Sequence, residues 1–240
     1  SHADVGDKAN DGLRVNGNEL RAKVVGEGGN LGMTQLGRVE YGLNGGSGNT
    51  DFIDNAGGVD CSDHEVNIKI LLNEIVAAGD MTGKQRNKLL AEMTDAVGAL
   101  VLGNNYKQTQ ALSLAERLAH ERLAEYKRLM AALEADGKLD RALEFLPTDD
   151  ELNERASRGQ GLTRPELSVL ISYSKIDLKE ALLKSRVPDD EYLAREMETA
   201  FPARLTTEFA EPMRRHRLKR EIVSTQIAND LVNHMGITFV

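Results

Sequence analysis

Beyond residue 64 the chain places its apolar residues at helical spacing. In "RPELSVLISYSKIDLKEALLKS" a 3.6-residue period gathers Leu167, Leu170, Ile171, Ser174, Leu178, Ala181 and Leu182 into one stripe that must bury against a neighbour. "LKREIVSTQIANDLVNHMG" repeats the design with Val223, Ile227 and Leu231 and closes on Gly236, suited to the positive-φ turn after a helix. Helix starts are signalled where a Ser or Thr can accept from an orphan amide while a Glu three positions on reaches back. Ser62 with Glu65, Thr148 with Glu151 and Thr163 with Glu166 read as starts, whereas Ser113 with Glu116 falls inside a longer pattern. The stretch from Lys84 to Gly137 predicts two or three long antiparallel helices, broken near Gly103, Asn104 and Asn105.

Up to Gly58 the pattern differs, and most of the 22 glycines fall there. Asn16-Gly17 predicts a turn, Ala22 to Val25 a short apolar strand ending in glycines, and Val39, Tyr41 and Leu43 alternate as a strand would. "NGGSGN" then reads as a loop and "TDFID" as a partner strand.

Composition narrows the function classes. With 240 residues the chain can hold one large or two smaller cores, and two lobes are expected. No apolar run approaches the roughly 18 residues of a membrane span. A net charge of −8 gives no basic footprint for nucleic acid or an anionic membrane, and 4% aromatics without Trp gives no stacking platform for single strands. The lone Cys61 cannot form an internal disulfide and reads as a packed thiol; with no leader-like stretch before it, it points to the cytoplasm. His64, His120, His216 and His234 are scattered and suit packing or solvation better than ligation. The basic run from Arg214 to Arg220 reads as a solvated helix face rather than a phosphate site. Met130, Met197, Met213 and Met235 read as core filler.

One stretch resists a purely structural account. "NTDFIDNAGGVDCSDHEVN" crowds four Asp, three Asn, a glycine pair and Cys61 into residues 49 to 67. A sharp turn over Gly57-Gly58 capped by Ser62 explains most of it. Metal binding by Asp51, Asp54, Asp60, Asp63 and His64 matches neither a calcium loop nor a zinc set. Ligand recognition at strand ends is the third reading, because a second cluster, "VVGEGGNLG", also follows an apolar strand. There Gly28 and Gly29 would let backbone approach a flat ligand, and the Asn30 carboxamide offers both donor and acceptor. No G-x-G-x-x-G fingerprint with a downstream acid occurs.

"KVVGEGGNLGMTQLGRVEYGLNGGSGNTDFIDNAGGVDCSDHEVNIKILLNEIV", with "LTRPELSVLISYSKIDLKEALL" and "LKREIVSTQIANDLVNHMGITFV", resembles the large bacterial NAD-specific glutamate dehydrogenases. The smaller glutamate dehydrogenases are similar at the same strand ends, with an E-G-A-N turn and an N-A-G-G-V turn followed by a serine. The resemblance implies that Glu27-Gly28-Gly29-Asn30 borders the nicotinamide half of NAD. It implies that Asn55, with Gly57 and Gly58, contacts the nicotinamide riboside, and that Ser62 binds the distal carboxylate of glutamate. The family's catalytic lysine and aspartate and its pyrophosphate fingerprint lie upstream of the matching residues, so no catalytic residue is assigned here and the chain reads as an inactive fragment.

The expected fold is therefore α/β and α-rich: residues 4–78 form the C-terminal part of a Rossmann-type NAD-binding domain, a partial sheet, and residues 79–240 an all-helical C-terminal region. The expected function is that of an oxidoreductase, part of a homo-oligomer, that deaminates L-glutamate to 2-oxoglutarate and ammonia with NAD and no metal. The alternative is a non-enzymatic helical interaction or assembly module. The long amphipathic stripes suit either, since both need a partner surface.

Overall fold

Helix accounts for most of the chain in the computed structural model, which describes residue 9, residues 11–29 and residues 32–240. In chain order the regular elements begin with β1 (Val24–Val25), α1 (Gln35–Leu43), β2 (Ser47–Gly48) and α2 (Asp51–Asp54). They continue with α3 (Ala56–Ala77), α4 (Gly83–Glu92), α5 (Thr94–Arg117), α6 (Leu123–Ala135), α7 (Asp149–Ser157) and α8 (Arg164–Lys184). A 3-10 segment, Leu193–Ala200, precedes α9 (Ala203–Glu208), α10 (Ala210–Arg214) and α11 (Lys219–Met235). Two compact units result. The first takes the described residues of Ser1–Asn55 with Gln110–Tyr173, and the second takes Ala56–Thr109 with Ser174–Val240.

In the first unit β1 and β2 run parallel, Val24 opposite Ser47 and Val25 opposite Gly48, and α1 makes the crossover between them. Thr34 caps α1 by accepting from the Gly37 amide at 3.1 Å. Tyr41, buried on that helix, donates its hydroxyl to the Ala22 carbonyl at 2.8 Å. Its ring lies so close to Gly46 that an added Cβ would meet it at 2.2 Å, so only glycine fits there. The apolar filling comes from α6, which buries Leu123, Tyr126, Leu129, Met130 and Leu133 at helical spacing, and from Leu167, Leu170 and Ile171 of α8. The starts expected at Thr148 and Thr163 are both present. The Thr148 amide donates to Glu151 at 2.7 Å, and the Thr163 amide donates to Glu166 at 2.7 Å.

The second unit has one apolar core. Ile68, Leu71, Leu72 and Ile75 of α3 pack with Leu89 of α4, with Met197, Phe201, Leu205 and Met213, and with Ile222, Val223, Ile227 and Ala228 of α11. Burying that many aliphatic side chains, at about 1.5–3 kcal/mol each, is what holds these helices together. Gly236 ends α11 at φ 99°, and Met130, Met197 and Met213 are core filler, whereas Met235 is exposed. Within the basic run Arg214 pairs with Glu211, Arg217 with Glu74 and Arg220 with Asp189, while His216 is buried.

Four expectations are corrected. The partial Rossmann-type sheet is absent among the described residues, where the only sheet is one parallel pair of two-residue strands. The segments expected as strands around Val39-Tyr41-Leu43 and in "TDFID" are helical. On α1 the charged Arg38 occupies a core position, so burial falls on Arg38, Val39 and Tyr41, while Leu43 is exposed. In α2 only Ile53 is buried, Phe52 is exposed, and the Asn55 amide closes onto the Asp51 carbonyl at 2.8 Å, a helical turn. Ser62 does not open a helix, because α3 has already begun at Ala56 and passes through Gly57 and Gly58. Nor is there a break at Gly103-Asn104-Asn105, since α5 runs on to Arg117 and the chain turns instead near Met93 and between residues 118 and 122.

Candidate functional site

The turn after β1 is built around a buried ion pair that the sequence does not advertise. Glu27 and Arg38 are each less than a tenth exposed, and the guanidinium forks onto the carboxylate through Nε at 2.5 Å and Nη2 at 2.9 Å. The geometry is bidentate and charge-assisted, the strong form of such a contact. Arg38 also reaches Asp51 at 3.3 Å, and Glu27 accepts from the Met33 amide at 3.0 Å, spanning the glycine turn.

The same turn is tied to the residues leading into Asn55. The Glu27 amide donates to Asp54 Oδ2 at 2.9 Å, and Asn49 donates to Asp54 Oδ1 at 2.6 Å. Arg164 of α8 donates to the side-chain Oδ1 of Asn49 at 2.5 Å and also donates to Ser113 and Glu116. The residues just before Asn55 are thus fixed to the residue just before Gly28. Gly28 and Gly29 are exposed, and a side chain started at either would meet no atom within 4 Å. Such open backbone suits a flat ligand at close approach. Asn55 ends α2, half-buried. Asn30 lies outside the described residues.

Gly57, Gly58 and Ser62 lie in α3, all exposed, and the space beside Gly57 is open. Ser62 donates its hydroxyl to the Gly58 carbonyl at 2.8 Å, so to donate to a carboxylate it must first rotate away. Cys61 is half-buried and free. Among the described residues no group of three or more His, Cys, Asp or Glu could hold a metal, and no helix is long and apolar enough to cross a membrane.

A second polar assembly, unread in the sequence, sits in the second unit. His64 is 4% exposed; its Nδ1 is 2.8 Å from the Ala200 carbonyl, to which it must donate, and its Nε2 faces Asp60 at 3.6 Å. Asn104 of α5 donates to Asp60 at 3.0 Å, and Lys175 of α8 donates to Gln108 at 2.6 Å. Burial alone would lower the His64 pKa, but the bond to Asp60 and that carboxylate's charge outweigh it and raise it above 6.5. Burial opposes the charged Asp60 too, yet His64 and Asn104 hold it below 3.8. Lys175 is pushed down to about 8 by lost hydration. The i to i+4 spacing of Asp60 and His64 is the only trace of this assembly in the sequence.

These shifts set a pH dependence. The His64 contribution to stability is fully present below pH 6.5 and fades as the pH rises through its raised value; that of Asp60 fades only as the pH falls through its depressed one. Lys175 has the opposite sign to His64. Its ammonium burdens the fold below about pH 8, and the burden lifts as the pH climbs from there to 10.5. Lys175→Met is expected to be at least as stable as the parent at pH 7 and to lose the rise in stability between about pH 8 and 10.5. Urea unfolding across that range checks both.

Comparisons with known proteins bear on the same segments. Residues 1–115 match a family described as bacterial NAD-glutamate dehydrogenase, catalytic domain, and residues 159–240 match one described as glutamate dehydrogenase, C-terminal. The NAD-specific glutamate dehydrogenase of Pseudomonas aeruginosa is 84% identical over 240 residues, all of this chain and 15% of that protein. That of Halomonas elongata is 60% identical over 238 residues, 99% of this chain and 15% of the relative. That of Mycobacterium tuberculosis is 47% identical over 239 residues, again 15% of its length. The chain therefore spans about 15% of the curated relatives it matches.

Proposed function

By sequence the chain belongs to the bacterial NAD-specific glutamate dehydrogenases, and from that premise we propose that it contributes to oxidative deamination of L-glutamate to 2-oxoglutarate and ammonia. NAD, when bound, supplies the acceptor for the hydride leaving the substrate α-carbon. The residues that would hold it are Gly28, Gly29 and Asn30 after β1, and Asn55 with Gly57 and Gly58 of α3. The unobstructed backbone at Gly28, Gly29 and Gly57 is compatible with a planar ring pressed close. The Asn55 carboxamide would orient the nicotinamide riboside with one donor and one acceptor. Ser62, turned away from Gly58, would donate to the distal carboxylate of glutamate.

The observation that carries this reading is the 2.9 Å bond from the Glu27 amide to Asp54, which fixes the first turn relative to the residues leading into Asn55. Hydride transfer demands reactants held within about 3–3.5 Å, so turns fastened to one another serve that purpose and floppy ones do not. A cytoplasmic location and assembly as a homo-oligomer accompany the proposal.

An exchange chimera tests it. The 240 residues replace the segment that they match in the full-length Pseudomonas aeruginosa relative. The expected result is glutamate-dependent formation of NADH; a folded chimera that binds glutamate yet forms none would refute the proposal.

A further inference from the structure

The second unit contains a cleft of about 130 Å³ between α3, α5 and α11, room for about four water-sized groups at roughly 30 Å³ each. Three carboxamides line it: Asn67 from α3 and Gln226 and Asn229 from α11. Asn67 is 8% exposed, and none of the three side chains has a hydrogen-bond partner among the described residues. Gln226 and Asn229 are half-buried, so the amide groups reach the cleft and can trade water for a ligand there. Asp63 and Glu221 also line it, both exposed and neither in a salt bridge among the described residues. Of the titratable lining side chains Asp60, Asp63 and Glu221 are acidic and only His64 is basic, so the lining carries a net negative charge. Leu218 and Ile222 supply one apolar wall.

We propose that this cleft binds a compact primary ammonium group, the ammonium ion or a short alkylammonium. Such a group presents three or four N–H donors in a small volume, and the cleft is lined by the carboxamides of Asn67, Gln226 and Asn229, whose oxygens can accept, together with the carboxylates of Asp63 and Glu221. Its positive charge answers Asp63 and Glu221, and an alkyl substituent lies against Leu218 and Ile222. An anion would meet repulsion from Asp60, Asp63 and Glu221. A bare metal cation gains nothing from the apolar wall, and no metal-holding group of side chains occurs among the described residues. The assignment rests on this cleft alone and stands or falls independently of the dehydrogenase reading.

The test uses the 240-residue chain and methylammonium chloride at constant ionic strength, following the side-chain amide resonances of Asn67 and Asn229 by NMR. A ligand of two heavy atoms sets the expected midpoint at about 10 mM, near the ceiling for very small ligands. Saturable shifts at those two amides are expected with ammonium and methylammonium. Potassium and tetramethylammonium, which carry the charge without the donors, should produce none. Asn67→Leu should raise the midpoint about tenfold, and the exposed Glu221→Gln about threefold. If Asn67→Leu does not fold, Asn229→Leu takes its place. Equal shifts with potassium, no saturation by about 100 mM methylammonium, or unchanged midpoints in folded variants would overturn the assignment.

Discussion

Arg38→Met is expected to destabilise the first unit by about 3–5 kcal/mol, because it strands the Glu27 carboxylate in a site only 7% exposed. Removing one member of a buried pair costs more than the pair contributes, since the survivor keeps its desolvation cost and loses its compensation. Here the survivor also sits near Asp51 and Asp54, so the uncompensated charges repel one another. The effect should spread along the turn, because Glu27 holds the Met33 amide and its own amide is held by Asp54. In the exchange chimera the same substitution should raise the KM for NAD more than that for glutamate. Arg38→Lys should recover little, since an ammonium cannot make both fork contacts. Arg38→Met with Glu27→Gln should recover much of the stability, because no charge is then left buried alone. Urea unfolding of the four proteins orders them.

Glu166→Ala should be comparably damaging for a different combination of reasons. Glu166 is fully buried and accepts from Arg155 Nη1 through both oxygens, at 2.9 and 2.8 Å, as well as from the Thr163 amide and hydroxyl. One truncation therefore isolates a half-buried guanidinium, opens the capping box of α8 and leaves a cavity. The pair alone is worth about 3–5 kcal/mol on removal of one partner, and a lost cap adds about 1. At about 2–4 °C per kcal/mol for a chain of this size, the thermal midpoint should fall by about 10 °C or more. Glu166→Gln keeps an acceptor for the Thr163 amide and should fall between the parent and the alanine variant. A midpoint within about 2 °C of the parent for Glu166→Ala would show that Arg155 finds water instead.

What the sequence made legible was helix, and the reason is local. Thr148 with Glu151 and Thr163 with Glu166 are complete within four residues, and the stripes of α8 and α11 repeat within a few turns. The first segment failed for the opposite reason. Arg38 occupies a core position only because Glu27, eleven residues away, neutralises it, and no hydrophobic period can register a buried arginine. With Arg38 counted as polar, Val39, Tyr41 and Leu43 imitate a strand. Ser62 and Glu65 have the letters of a capping box, but α3 starts upstream at Ala56 and its two glycines do not stop it. In the sequence both Gly28 and Asn55 read as following strands, but the segment before Asn55 is helical, and the Asp54 side chain that ties it to Glu27 leaves no local signal. The carboxamide cleft brings α3 and α11 together across more than 150 positions, beyond any local pattern.

The central claim is that Asn55 touches the cofactor, and steady-state kinetics of Asn55→Ala in the exchange chimera test it most directly. The predicted result is a KM for NAD raised about tenfold, the loss of one or two hydrogen bonds, with the KM for glutamate unchanged. An unchanged KM for NAD in a folded variant, or a change confined to glutamate, would contradict it.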